Sequence, residues 1–160
     1  MVCSAISPNV RRLSALALAL APLLGAPAFA ASLPVPLELP RRIVLDESVE
    51  PHDLSQAIQA ALANRKWQFQ SDSGEAVRAQ RDVRGHVLQV DIVYAEKEVS
   101  FRYVDSLEMG YRVDAGVPYI HPTANKWLYR LANEVRFQVG RVVEGLGPAV
   151  VPSDGETEPE

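Results

Sequence analysis

Cysteine is almost absent from this chain. Of its 160 residues, only Cys3 carries a thiol. The sequence beyond position 3 therefore cannot form a disulfide, a thiolate metal site or a cysteine nucleophile. Stability must come from a packed core instead, and a domain of roughly 100 residues is long enough to bury one.

An excess of basic residues is also missing. The chain has 16 Lys and Arg against 20 Asp and Glu, which gives a formal net charge of −4. Two of the cations, Arg11 and Arg12, lie in the first thirty residues, so the remainder carries a net charge of −6. Nucleic acid is not an expected partner, because phosphate backbones require a basic surface.

The sequence has few histidines and no close pair of them. His52, His86 and His121 are 34 and 35 residues apart, whereas metal-binding histidines usually include two that are a few residues apart. We predict no metal and no cofactor. His52, in a first helical turn, and His86, after a hairpin turn, are expected to face solvent.

The first thirty residues have the pattern of an export signal. A basic pair, Arg11–Arg12, precedes the apolar run Leu13–Leu24, and Ala28–Ala30 has the small residues of a cleavage site. A spanning helix needs about 20 apolar residues, and this run is shorter and contains Pro22, so the protein is not expected to span a membrane. Cys3 precedes the run and cannot serve for lipid attachment. We therefore predict a signal peptide over residues 1–30, cleavage after Ala30 and a periplasmic location.

Proline and glycine positions divide the rest of the chain. Residues 31–40 contain three prolines and are predicted to form an extended tether. Residues 41–146 are predicted to be a single domain, because neither a repeat nor a second apolar core is recognisable. Residues 147–160 lack a periodic apolar face, contain four acids and are predicted to be a disordered acidic tail.

The domain is predicted to have an α+β fold, an antiparallel meander of about four strands with two helices packed on one face. Helical periodicity indicates helices at 51–65 and 123–144, the second capped by Thr123 or Asn125. Alternating apolar residues indicate strands at 67–71, 75–82, 86–95 and 98–105, after a short strand at 42–46. Trp67 and Trp127 are expected to anchor the core.

Two short motifs resemble a family of small, uncharacterised exported proteins and lipoproteins of Gram-negative bacteria. The motifs are Arg65–Trp67, at the end of the first predicted helix, and Ile120–Trp127, which leads into the second. The family pattern has glycine where this chain has Lys66 and tyrosine where it has Ala124. The resemblance implies the fold and an exported location. It implies no catalytic residues.

Residues 107–122 have no clear period and are unusually apolar for a loop of this length, although residues 111–114 could be a strand. Tyr111, Tyr119 and His121 lie there, beside the predicted start of the second helix, and are candidate binding residues. The segment is either a contact surface or a lid over the core.

Arginines near the predicted sheet are further candidates, namely Arg102 and Arg112. Arg78 and Arg102 are expected on the solvent face, adjacent across strands. They either form an ordinary solvated surface, balanced by Asp91 and Glu75, or bind an anionic partner such as lipid headgroups or an envelope sugar.

These features favour a non-catalytic periplasmic binding module or envelope accessory, with an envelope protein or an anionic envelope component as its partner. The alternative is a small hydrolase that uses His121 as a general base, with Ser100, Ser106 and Asp105 as possible companions. No catalytic residue is assigned, because the serines lack the sequence context of a nucleophile.

We predict a soluble mature protein that begins at Ala31. N-terminal sequencing of periplasmic material should give Ala31 as the first residue, because small residues precede that bond. Recovery of the intact leader, or retention in membranes after a high-salt wash, would contradict the prediction.

Overall fold

The computed structural model of the protein describes residues 32–151, which lie within a single compact unit. The predicted signal peptide, its cleavage site and residues 152–160 of the predicted tail lie outside the described residues. Among residues 32–151, no helix is long and apolar enough to cross a membrane.

The α+β fold is confirmed. Two helices, α1 (Pro51–Asn64) and α2 (Pro122–Val143), accompany two antiparallel sheets. The larger sheet has the strand order β2-β6-β5-β4-β3, and the smaller one the order β1-β8-β7. The strands are β1 (Val35–Pro36), β2 (Ile43–Val44), β3 (Gln68–Asp72), β4 (Ala76–Val83), β5 (His86–Ala95), β6 (Glu98–Leu107), β7 (Arg112–Asp114) and β8 (Val117–Ile120).

The larger sheet buries one face, as the alternating sequence predicts. On β5, Leu88, Val90 and Ile92 are fully buried, because alternate side chains of a strand point to the same face. The helices cover this face, α1 lying against β3, β4, β5 and α2. Trp67 and Trp127 are both buried in the same core, as expected for anchoring residues.

The edge strand β3 is different from the strands inside the sheet. All five of its residues are exposed, and its pairing with β4 shifts register between Phe69 and Ser71. This β-bulge turns Asp72 toward the helices, since Asp72 pairs with the buried Val77.

Asp72 joins α1 to the sheet through hydrogen bonds. Its carboxylate accepts from Ser55 Oγ at 2.5 Å, from Tyr94 Oη at 2.7 Å and from the Gly74 amide at 2.9 Å. Burial acts to raise the pKa of Asp72, but these hydrogen bonds outweigh it and hold the pKa below its usual value. Burial and the bond to Asp72 raise the pKa of Tyr94 to about 12.

Residues 32–40, predicted as a tether, are extended but attached to the domain. Val35 and Pro36 pair with Ile120 and Tyr119 of β8. Asn125, expected as a possible cap of α2, instead donates to Pro36 O and accepts from the Glu38 amide. The prolines favour the extended backbone, but they gave no signal that it would pair with a strand more than 80 residues away.

The predicted disordered tail also differs from the structure, because its first residues, 147–151, form hydrogen bonds with the two helices. The buried Gln138 exchanges two hydrogen bonds with Ala149, at 2.8 and 2.9 Å, and Asn64 accepts from the Val151 amide at 2.8 Å. The side-chain amides satisfy backbone groups that a disordered tail would leave to water.

Lys66 turns the chain between α1 and β3 with φ +56°, in the left-handed region that only glycine adopts without strain. It is the position at which the resembled proteins have glycine. Its amide donates to Ala63 O and the next amide, of Trp67, to Leu62 O, so this turn fixes the direction in which the chain leaves α1.

Replacement of Lys66 by glycine should therefore stabilise the protein. We expect Lys66→Gly to raise the free energy of unfolding by about 1 kcal/mol, since the relief of strain exceeds the added freedom of the unfolded chain. Denaturant unfolding measures the change. The control Lys66→Ala keeps the strain and should differ little from the original protein. An equal gain in both variants would mean that the lysine side chain, not the turn, is unfavourable.

Candidate functional site

The segment from Leu107 to His121 folds into a hairpin of its own. Strands β7 and β8 pair through Arg112–Tyr119, Val113–Pro118 and Asp114–Val117. The possible strand at 111–114 is thus present as β7, while β8 was not predicted. Only the ends of the segment enter the core, through the buried Met109 and Ile120.

His121 begins helix α2. Its Nδ1 accepts a hydrogen bond from the Thr123 amide at 3.2 Å, and its own amide donates to Met109 O at 2.8 Å. The prediction of Thr123 or Asn125 as the cap is therefore wrong, since the side chain of His121 supplies the capping acceptor. Pro122 occupies the first helical position, where the helix does not use a backbone N–H donor. With Nδ1 as acceptor, Nε2 carries the proton and can donate to another group.

A cleft adjoins this helix start. Its volume is about 380 Å³, and we call it the His cleft after its two imidazoles. The rings of His86 and His121 are 5.7 Å apart between centroids. His86 is half-buried rather than solvent-facing, which corrects the sequence-based expectation. The cleft is lined by Ser32, Pro34, His86, Glu108, Met109, Gly110 and His121.

The proximity of His86 and the 107–121 segment could have been inferred from the predicted hairpin of residues 86–105. β5 and β6 are antiparallel, and Val87 pairs with Leu107, so His86 must lie where β6 ends and the 107–121 segment begins. The cleft offers two imidazoles and one carboxylate for hydrogen bonding. In residues 32–151, no group of three or more His, Cys, Asp or Glu is placed to hold a metal ion.

The predicted tyrosines lie beside the cleft but do not line it. Tyr111 stacks on Tyr103 with ring centroids 4.4 Å apart, and the Arg112 guanidinium lies 5.3 Å from the centre of the Tyr119 ring. Tyr111 is 40 % exposed and Tyr119 is half-buried. Tyr111, Arg112, Tyr119 and His121 are therefore gathered around one hairpin, with His121 alone facing the cleft.

Arg102 lies elsewhere, on the face of the larger sheet that the helices do not cover. It donates to Asp91 at 2.7 Å, and Arg78 donates to the same carboxylate at 2.8 and 3.1 Å. Asp91 is buried beneath the two arginines. Arg78 and then Arg102 hold the pKa of Asp91 below its usual value, although burial acts in the opposite direction. The adjacency of Arg78 and Arg102 is as predicted, and Asp91 neutralises part of their charge.

The same open face has a second cleft, of about 390 Å³, which sequence reasoning missed. Gln89 donates to Gln80 across the strands at 2.7 Å, and Asp105 lies next to Gln89 in the β5–β6 pairing. The cleft is lined by Gln80, Val87, Gln89, Asp105, Ser106 and Leu107. The outward-facing polar residues of the strands predicted this open face but not a cleft in it. The pairing of β5 with β6 shifts register between Gln89 and Val90, next to the cleft.

Three of the four groups considered for hydrolysis, all except Ser100, have other hydrogen-bond partners. Ser106 Oγ pairs with Tyr103 Oη at 2.9 Å, Asp105 accepts from the Ser106 amide at 2.8 Å, and His121 accepts from Thr123. Each of these hydrogen bonds lies at the end of β6 or at the start of α2, and a structural role accounts for it.

Acid should weaken the Asp91 pairing. A carboxylate whose folded-state pKa is depressed stabilises the protein above its unfolded pKa, about 3.9, and loses that contribution as pH falls through the folded value. We expect Asp91→Asn to lower the free energy of unfolding by about 1–2 kcal/mol at neutral pH and to flatten the loss of stability below about pH 4. Denaturant unfolding across pH measures both. The exposed Glu75→Gln serves as control, and a profile equally flattened by it would contradict the assignment to Asp91.

Comparison with known proteins gives no relative for this site. No family model, curated protein or solved structure matches the chain. The resemblance of Ile120–Trp127 to exported proteins stays a prediction, and the candidate residues rest on the geometry of residues 32–151.

Proposed function

We propose that the protein is a non-catalytic binding module of the periplasm, an envelope accessory whose partner is another envelope protein. The contact surface is the β7–β8 hairpin, residues 111–120, together with the adjoining His cleft. The proposal rests on side-chain exposure in the hairpin, and on an edge strand that a partner can reach.

Exposure of apolar side chains supports a contact surface over a lid. Val113 is 60 % exposed, Val117 41 % and Tyr111 40 %, whereas a lid over the core would turn such residues inward. The hairpin is held by its own backbone pairing and by β1, so these residues contribute little to the core. Exposed aromatic and apolar residues next to a cleft are the usual anchors of a protein interface.

The available edge of β7 fits a protein partner. β7 is the last strand of the three-stranded sheet, and an extended segment can add to such an edge through backbone hydrogen bonds. The charges of the segment are mixed, since Glu108 and Asp114 accompany Arg112. This balance favours a protein over a polyanion at the hairpin.

A photo-crosslinker placed at Val113 tests the proposal in living cells. We expect one discrete adduct with an envelope protein, because Val113 is the most exposed of the large apolar residues of the hairpin. The same group at Val44, which is 68 % exposed on β2, an edge strand of the five-stranded sheet, is the matched control and should give none. The hydrolase alternative makes no such distinction between the two positions.

The double variant Tyr111→Ala with Tyr119→Ala should abolish the adduct at Val113. Loss of the Tyr103 stacking costs about 1 kcal/mol, so the melting temperature should fall by only a few degrees. A collapse of the melting temperature would instead make the tyrosines core residues, and adducts of equal yield at positions 44 and 113 would reject the contact surface.

A further inference from the structure

The outer face of α2 combines basic and apolar residues without an acid. The exposed residues of this helix are Lys126, Tyr129, Arg130, Arg136, Phe137 and Val143. Tyr129 is 68 % and Phe137 58 % exposed, although aromatic rings of this size usually find a place in the core. The core-facing residues of α2 are others, among them Trp127, Leu128 and Leu131.

These exposed residues form one stripe. At 3.6 residues per turn they fall within an arc of about 140°. The two rings are about 12 Å apart along the helix axis, with Lys126, Arg130 and Arg136 before, beside and between them. Arg136 is steadied by a bond to Asn133 at 3.1 Å, and Arg130 also interacts within the protein.

Glu134, the only acid in the sequence of α2, does not lie on this face. Glu134 turns toward α1, where it pairs with Arg65 at 3.0 Å and accepts from Asn64 and Gln138 at 2.9 Å. Burial acts to raise the pKa of Glu134, but these bonds outweigh it and lower the pKa. Glu144, which caps the helix, is the first acid that follows on the chain.

The exposed face of α1 shows that this composition is not general to the protein. Its exposed residues include no Phe, Tyr or Trp and no Lys or Arg; they are Pro51, His52, Asp53, Gln56, Gln59 and Ala63. An ordinary solvated helix has such a surface. The cations and rings of α2 therefore need an explanation of their own.

We propose that the outer face of α2 docks on the surface of a membrane that contains anionic lipid. The cations pair with lipid phosphates, and the rings of Tyr129 and Phe137 lie at headgroup level, as in helices that rest in the bilayer interface. This inference is separate from the proposed protein partner at the hairpin.

Charge complementarity is the argument for lipid as the occupant. The chain as a whole has a net charge of −4, so an anionic surface repels most of it and attracts this face, which orients the molecule. A second copy of the chain is disfavoured, because two such faces would bring like charges together.

Site-specific fluorescence tests the docking with the full chain. Gly140 lies in the middle of the stripe, and a Cβ added there meets nothing within 4 Å. Gly140→Cys in a Cys3→Ser background accepts an environment-sensitive dye, and Ala63→Cys on the exposed face of α1 is the matched control. Both proteins are mixed with phosphatidylcholine vesicles, with and without about one-third phosphatidylglycerol.

We expect the dye at position 140 to shift to the blue only with phosphatidylglycerol, and to revert in about 0.5 M NaCl as the charges are screened. The dye at position 63 should not respond. Both proteins make the same contacts through the rest of the chain, so a difference between the two dyes reports on the outer face of α2. No shift at 140, an equal shift at 63, or an equal shift on phosphatidylcholine alone would overturn the proposal. A shift at 140 without vesicles that grows with protein concentration would make the face a self-association surface instead.

Charge variants then locate the interaction. Lys126→Gln with Arg136→Gln should weaken vesicle binding about 25-fold, since each cation near an anionic surface contributes roughly fivefold. Arg41→Gln with Lys97→Gln makes the same change in net charge at exposed positions elsewhere and should weaken binding less than about twofold. Equal losses in the two double variants would overturn the assignment to α2. Unchanged melting temperatures show that the variants remain folded.

Discussion

The apolar face of the five-stranded sheet has to be covered, and the rest of the structure depends on that constraint. Beyond Cys3 the chain has no cysteine, so burial must supply what a crosslink could have contributed. Helix α1 packs on this face and α2 packs on α1 and into the same core. The opposite face of the sheet has no helix over it, and residues 111–117 of the hairpin are exposed. The polar bonds of Asp72 and Glu134 fix how α1 sits on the sheet and on α2. The exposed surfaces proposed for binding are those that this packing leaves available.

Periodicity predicted the elements that contribute to the core. The alternation of Leu88, Val90 and Ile92 placed β5 without error, and the other long strands and both helices lie within one or two residues of their predicted bounds. Local propensity and burial agree in these segments, since the same residues that favour the element also face the core. The solvent-facing pair Arg78 and Arg102 followed from the same alternation.

Nonlocal pairing accounts for what the sequence did not predict. Two-residue strands such as β1 have no period to recognise, and their partners are set by the completed fold. His86 and His121 meet because antiparallel strands return the chain to the same end of the sheet. The candidate residues were accordingly divided, with the tyrosines, Arg112 and His121 near one hairpin and Arg102 on the open face of the sheet. The outer face of α2 could have been predicted from the sequence, because it consists of the residues on the side of the helix opposite its apolar, core-facing stripe.

The form of the edge strand β3 has a consequence for how the protein behaves when it is concentrated. Backbone groups along a sheet edge can template the addition of strands from other molecules, which leads to fibrils. In β3 the bulge between Phe69 and Ser71 interrupts the regular spacing of those groups, and the strand is short, with the charged Asp72 at its end. At the other edge, β2 has two residues, too few to hold an added strand. Both edges of the five-stranded sheet therefore disfavour the addition of a strand, whereas the edge of β7 in the smaller sheet stays available to a partner.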